Sequence, residues 1–173
     1  MADISKLVPH ILQWEGGFVN DPIDKGGATK YGVTLATWKA VGKDKDGDGD
    51  IDSDDIKILS VDDFMMVLKT YYWDRWQADR IASQSIANFL VDWVYNSGSY
   101  GIKIPQKLLH VDDDGVVGDL TIEAINKAHP YLLFLQLTDA RREFVHDIVK
   151  NNPKQARFLQ GWLNRINSFK FEK

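Results

Sequence analysis

The segment from Glu15 to Thr34, EGGFVNDPIDKGGATKYGVT, most limits what this chain can fold into. Five glycines and a proline in twenty residues exclude a continuous helix there. The preceding stretch is the opposite: Ile4, Leu7, Val8, Ile11 and Leu12 recur at helical spacing as one apolar stripe. A helix over residues 4–15 is expected, capped by Asp3 or Ser5, with Pro9 marking a start close to it or a kink. Glu15 lies four residues beyond Ile11, on the inward face, in the last turn before Gly16-Gly17. Partial burial and the negative end of the helix dipole both disfavour a charged carboxylate there. A neutral carboxyl is what acid-catalysed bond cleavage needs. A solvated glutamate before a glycine C-cap fits the same letters.

The loop that follows narrows the choice. Gly16, Gly17, Gly26 and Gly27 permit backbone conformations closed to other residues, or close approach to a ligand. Asn20-Asp21-Pro22 reads as a turn. Such a loop would hold Asp24 and Thr29 opposite the helix end that carries Glu15; a plain tight hairpin is the alternative.

This segment resembles glycoside hydrolase family 108, the phage and bacterial N-acetylmuramidases marked by an EGGY-type motif. Here the motif reads EGGF, with Phe18 at the aromatic position. The continuation is matched at Asn20, Asp21, Pro22, Asp24, Gly26, Gly27, Thr29, Gly32, Val33 and Thr34. The resemblance implies that Glu15 is the catalytic acid of a peptidoglycan-degrading lysozyme. Phage-type lysozymes carry a related Glu, Asp, Thr arrangement with eight residues between Glu and Asp, an interval that Glu15 and Asp24 keep. Thr29 comes one residue early against that pattern. Asn20 and Tyr31 are the candidate substrate-binding residues of the motif. Asn96, at an Asn-Ser-Gly helix end similar to one in the family, is a third; a capping role fits it equally well. From Gly101 to about Phe169 the chain looks like the peptidoglycan domain that often follows this catalytic segment, most recognisably at DGVVGDLTIEAI, Asp114 to Ile125.

A second motif, DKDGDGDIDSDD from Asp44 to Asp55, matches an EF-hand calcium loop. Asp44, Asp46 and Asp48 would ligate by side chain, Asp50 by its carbonyl, Asp52 through water and Asp55 at the last position. An Asp in place of the usual bidentate Glu should weaken affinity or leave a position open. Aspartates this dense repel one another without a cation; a solvated acidic loop is the alternative. The insertion lies outside the muramidase motif, so a structural calcium is expected and no cofactor is needed for the chemistry. Asp112-Asp113-Asp114-Gly115 opens like such a loop but lacks the remaining ligands and reads as a turn.

Composition closes several routes. There is no cysteine, hence no thiol nucleophile, disulfide or cysteine-based zinc site. The four histidines lack metal-ligand spacing. A net charge of −4 gives no electrostatic case for nucleic acid, and no stretch is long enough to span a membrane. Asp3 and His10 interrupt the apolar core a signal peptide needs. A protein made in the cytoplasm and carried to the cell wall by a separate route, such as a phage holin or a dedicated secretion system, is therefore expected. Most aromatics, including Tyr71, Tyr72, Trp73 and Trp76, are expected in the core.

Together these features predict a mainly α, lysozyme-like fold with at most a small β-hairpin and an EF-hand-like calcium loop. Helices are expected over residues 4–15, 34–41, 61–73, 83–97, 101–110, 119–128, 131–150 and 153–168. Residues 1–98 form the catalytic segment, with the calcium loop inserted at 44–55. Residues 99–173 form the peptidoglycan-binding segment, packed with it as one compact monomer. The predicted activity is hydrolysis of the β-1,4 bond between N-acetylmuramic acid and N-acetylglucosamine, in phage lysis or in wall opening that assists secretion. The alternatives are a lytic transglycosylase on the same substrate, or a non-catalytic wall-binding or calcium-binding protein.

Overall fold

The computed structural model describes residues 1–20 and 27–173. They form two compact units, one of residues 4–71 and one of residues 1–3 with 72–173. This spatial division at Tyr71 is distinct from the division by motif at residue 98.

In the unit of residues 4–71, a 3₁₀ turn (Ile4–Lys6) precedes α1 (Val8–Leu12). The helix is far shorter than its apolar stripe suggests. Pro9 occupies its first turn, where the missing N–H costs nothing, and the chain before it tightens into 3₁₀ geometry. Leu7 takes the N-cap position with no side-chain cap bond, so neither Asp3 nor Ser5 caps α1. Three strands follow: β1 (Val19–Asn20), β2 (Ala28–Lys30) and β3 (Val33–Thr34), antiparallel in the order β1-β2-β3. The sheet thus has one strand more than the expected hairpin. The cause is the turn Lys30-Tyr31-Gly32-Val33, whose two central residues both have positive φ, 54° and 77°. Two such residues make the hairpin turn that matches strand twist, and Tyr31 is an unusual occupant.

Thr34 then caps α2 (Leu35–Val41), accepting the Thr37 N–H at 3.1 Å. Beyond the acidic loop come α3 (Ser53–Lys57) and α4 (Val61–Leu68). Ser60 and Asp63 form a reciprocal capping box at the start of α4. The helix passes into a π turn at Lys69–Trp73. Leu7, Ile11, Ala28, Val33, Trp38, Ile56 and Phe64 are among this unit's buried apolar residues.

The larger unit is built around α5 (Gln84–Ser97), which Ser83 caps. Ser85, Ile86, Ala87 and Phe89 to Val94 are all buried, so this helix is enclosed on nearly every side. Against it or one another pack α6 (Tyr100–Leu108), α7 (Asp119–Lys127), α8 (Pro130–Asn151) and α9 (Ala156–Ser168). Phe89 meets Trp93, Phe134 and Phe169 edge-on at centroid distances of 6.1, 5.6 and 5.4 Å. Trp73 and Trp76 are fully buried, as expected of core aromatics. The Asp114-Gly115 turn is pinned by Gln106, which accepts the Gly115 N–H at 2.9 Å and donates to the Val116 carbonyl at 2.9 Å. Among the described residues no helix is long and apolar enough to cross a membrane.

Candidate functional site

Glu15 stands just past α1 rather than in its last helical turn, yet its backbone is held. The N–H groups of Trp14 and Glu15 both donate to the Ile11 carbonyl, at 2.9 and 3.2 Å. A helix of five residues sums few peptide dipoles, so the dipole contributes little at Glu15. The residue is half-buried. Gly16 then accepts a hydrogen bond from the Tyr31 N–H at 3.3 Å. That bond ties the β2–β3 turn to the residue after Glu15, so the motif closes on itself.

The register fixes the remaining motif residues. Val19, Thr29 and Thr34 form one row across the sheet, because Thr29 pairs with both neighbours. Asn20 pairs with Ala28, and Lys30 with Val33, on the opposite face, where Ala28 and Val33 are buried. Thr29 therefore projects away from the buried face. Tyr31 lies edge-on to Phe64, at 6.1 Å between centroids, with the Lys30 ammonium 5.2 Å from its ring. Asp24 lies outside the described residues, as do Asp21, Pro22 and Gly26. Asn96 belongs to the other compact unit, exposed near the end of α5.

The glycines of the motif differ in their backbone. Gly16 and Gly17 have no left-handed φ, and among the described residues a Cβ built on either meets no atom within 4 Å. Gly27, by contrast, has φ 65°.

Two glycines turn the acidic loop sharply. Gly47 and Gly49 take φ values of 82° and 104°. Ligand oxygens of Asp44, Asp46 and Asp48 lie within 4.8 Å of one another, and so do those of Asp50, Asp52 and Asp55. Such an all-oxygen, all-carboxylate set suits a hard divalent cation. Asp44 also accepts the N–H groups of Gly47 and Gly49, at 2.5 and 2.9 Å. Asp55 is fully buried and accepts N–H bonds from Lys45 at 2.5 Å and from Asp52 at 2.8 Å. The Lys45 N–H, with that of Asp52, holds its carboxyl below the usual carboxylate range. At Asp50 the neighbouring charge of Asp48, with burial, acts the other way and raises the carboxyl. At Asp46 the N–H of Asp48 favours the carboxylate, but burial and the charges of Asp48, Asp55 and Asp44 outweigh it and raise the group. Crowded like charges of this kind are relieved by a cation.

A third cluster was missed by sequence reasoning. In the larger unit, Asp92 is fully buried between two arginines that are themselves buried. Arg141 Nη2 donates to it at 2.8 Å, and Arg165 donates through Nη2 at 2.7 Å and Nε at 3.1 Å. Burial alone would raise the Asp92 carboxyl, but the Arg141 and Arg165 guanidiniums hold it below its ordinary value. The available signal was one aspartate inside the apolar run Phe89-Leu90-Val91-Asp92-Trp93-Val94.

Comparison with known families places these features. The model for glycosyl hydrolase 108 matches residues 8–98, more than half of the chain. The chain belongs to glycosyl hydrolase family 108. A second model, described as a predicted peptidoglycan domain, matches residues 100–167. Among solved structures, SagA of Brucella abortus is similar at 29% identity and a TM-score of 0.74, covering 96% of this chain and 90% of that one. No curated protein matches the chain. The family-108 chain thus has a mainly α, lysozyme-like fold, is a peptidoglycan-acting glycoside hydrolase and has peptidoglycan as its partner.

Proposed function

We propose that this family-108 protein is an N-acetylmuramidase that cleaves the β-1,4 bond between N-acetylmuramic acid and N-acetylglucosamine. Glu15 is its general acid. The observation that carries this is the closed motif: Glu15 is half-buried, and the next residue is bonded to the turn of the sheet that bears Thr29. A neutral Glu15 protonates the glycosidic oxygen as the bond to the anomeric carbon breaks. Asp24, ionised, positions a water or stabilises the oxocarbenium-like centre, and Thr29 helps to hold that water. Asn20 and Tyr31 bind the glycan on the same motif.

The test is Glu15→Gln on purified peptidoglycan, read as turbidity loss alongside thermal unfolding. The expected result is no lysis with an unchanged melting temperature; full lysis ends the assignment. Mass analysis of the wild-type products should give reducing muramic acid ends. Anhydromuramic ends would instead make the protein a lytic transglycosylase.

We further propose that the Asp44–Asp55 loop holds one structural calcium, through Asp44, Asp46, Asp48, Asp50, Asp52 and Asp55. The two carboxylate triads and the positive φ of Gly47 and Gly49 support it.

A further inference from the structure

In the larger unit, α8, α9 and the segment after α9 line an open groove of about 430 Å³. Small-ligand clefts commonly measure roughly 300–1,000 Å³. The peptidoglycan-domain match, residues 100–167, covers nearly all of both helices. The chemistry assigned to Glu15 uses none of this surface.

Part of the groove's lining is aromatic. The Tyr131 ring, in the first turn of α8, is 47% exposed. Phe171 meets it edge-on at 5.4 Å between centroids and lies 5.8 Å from Phe134. Phe134 is buried, so this row of rings fixes a half-exposed tyrosine onto a core side chain. Another part of the lining is polar and already ordered. Arg142 Nε and Nη2 donate to Asn167 Oδ1 at 3.0 and 2.6 Å, and Nη1 donates to Asp139 Oδ1 at 3.0 Å. These bonds do not use the second Asp139 oxygen or the Asn167 amide N–H groups. Side chains ordered beforehand lose less rotamer freedom when a ligand arrives.

A pyranose ring is apolar across one face and carries hydroxyls at its edge. A half-exposed aromatic ring beside fixed carboxylate, amide and guanidinium groups accommodates both. A wall stem peptide is anionic instead. Asp139 and Arg142 offset one another, which leaves the exposed Lys170 as the ammonium beside them. An exposed ion pair gains only about 0–1 kcal/mol, so Lys170 does not select a peptide over a neutral sugar.

We propose that this groove is a non-catalytic saccharide-binding site. It holds one sugar of the wall glycan with its face on Tyr131 and its edge toward Asp139, Arg142 and Asn167. The choice of a wall glycan rests on the wall-acting reading, though not on the role of Glu15. No bond is made or broken.

The test is titration of nitrogen-labelled, full-length Glu15→Gln protein, followed by amide chemical shifts. The probes are triacetylchitotriose, a neutral β-1,4 trimer of N-acetylglucosamine, and the stem tripeptide L-alanyl-γ-D-glutamyl-L-lysine. Saturable shifts at residues 131–142 and 167–171 with the trimer, and weaker or no shifts with the peptide, support the site. Absence of those shifts with the trimer, or groove shifts with the peptide at equal or higher affinity, overturns it. Tyr131→Ala is expected to weaken the trimer at the groove at least about tenfold. Tyr131→Phe, which keeps the ring, should stay within about threefold. Asn167→Ala, at an exposed position, should weaken it about fivefold and serves where Tyr131→Ala fails to fold. Unchanged affinity in a folded Tyr131→Ala or Asn167→Ala variant, or loss of binding in Tyr131→Phe, overturns the proposal. Lysis by Glu15→Gln would end the acid assignment without altering these shifts. A silent groove ends this proposal and leaves that assignment standing.

Discussion

Asp92 is the single residue on which the larger unit most depends. Removing its charge leaves two buried arginines facing each other. Asp92→Asn is expected to cost about 3–5 kcal/mol, the usual penalty for breaking a buried ion pair, measured by urea unfolding. A loss within about 0.5 kcal/mol, the range of surface substitutions, would contradict the network as described. Gly17 makes the opposite case. Among the described residues a Cβ there meets nothing within 4 Å and φ is not left-handed, so Gly17→Ala should hold stability within about 0.5 kcal/mol. Wall lysis should nonetheless fall if the space beside Glu15 is where the glycan approaches. Unchanged lysis in Gly17→Ala would leave the motif's second glycine without a role.

Among the elements, the α5–α6 pair sets a constraint made by backbone. A Cβ on Gly101 would sit 2.5 Å from the Val94 backbone nitrogen, and backbone cannot swing aside as a long side chain does. Gly101→Ala is expected to destabilise by about 1–3 kcal/mol or more, as overpacking does, with a lower melting temperature. The acidic loop is the second element with a measurable consequence. Calcium binding only the folded loop stabilises by about 2.7 kcal/mol at a hundredfold excess over its Kd. Calcium addition should therefore raise the melting temperature and chelator should lower it, while Asp44→Asn with Asp48→Asn abolishes the difference. An identical melting temperature with and without calcium would remove the metal. The helices beyond residue 60 were largely legible, but α3 was not expected and the α1 cap falls at Leu7 rather than at Asp3 or Ser5. The third strand was not legible, because a tyrosine at positive φ carries no turn signal in the sequence. Only its Gly32 partner and the bond to Gly16 place it there.

For the whole molecule, acid is the informative variable. Asp92 has its folded value lowered, as already described. Burial alone would raise Asp63, but the Lys45 ammonium and the Ser60 N–H and hydroxyl hold it below the usual range. A carboxylate depressed on folding contributes stability above its unfolded value, and loses it as pH falls through the folded value. Both groups thus stabilise at neutral pH. The loss should begin as pH drops below the ordinary carboxylate value of 3.8 and deepen beneath it. Denaturant midpoints across that window check this; a midpoint that rises on acidification would contradict both assignments.

Periodicity, glycine punctuation and acidic spacing are local, so the sequence by itself determined the helical class, the family motif around Glu15 and the acidic loop. Burial and charge pairing between distant segments are not local. Asp92, Arg141 and Arg165 are separated by dozens of residues and looked unremarkable singly. Only tertiary packing, by removing water from three charges at once, turned them into a network. The same holds for Gly16 and Gly17, whose surroundings exist only once the sheet has folded beside them.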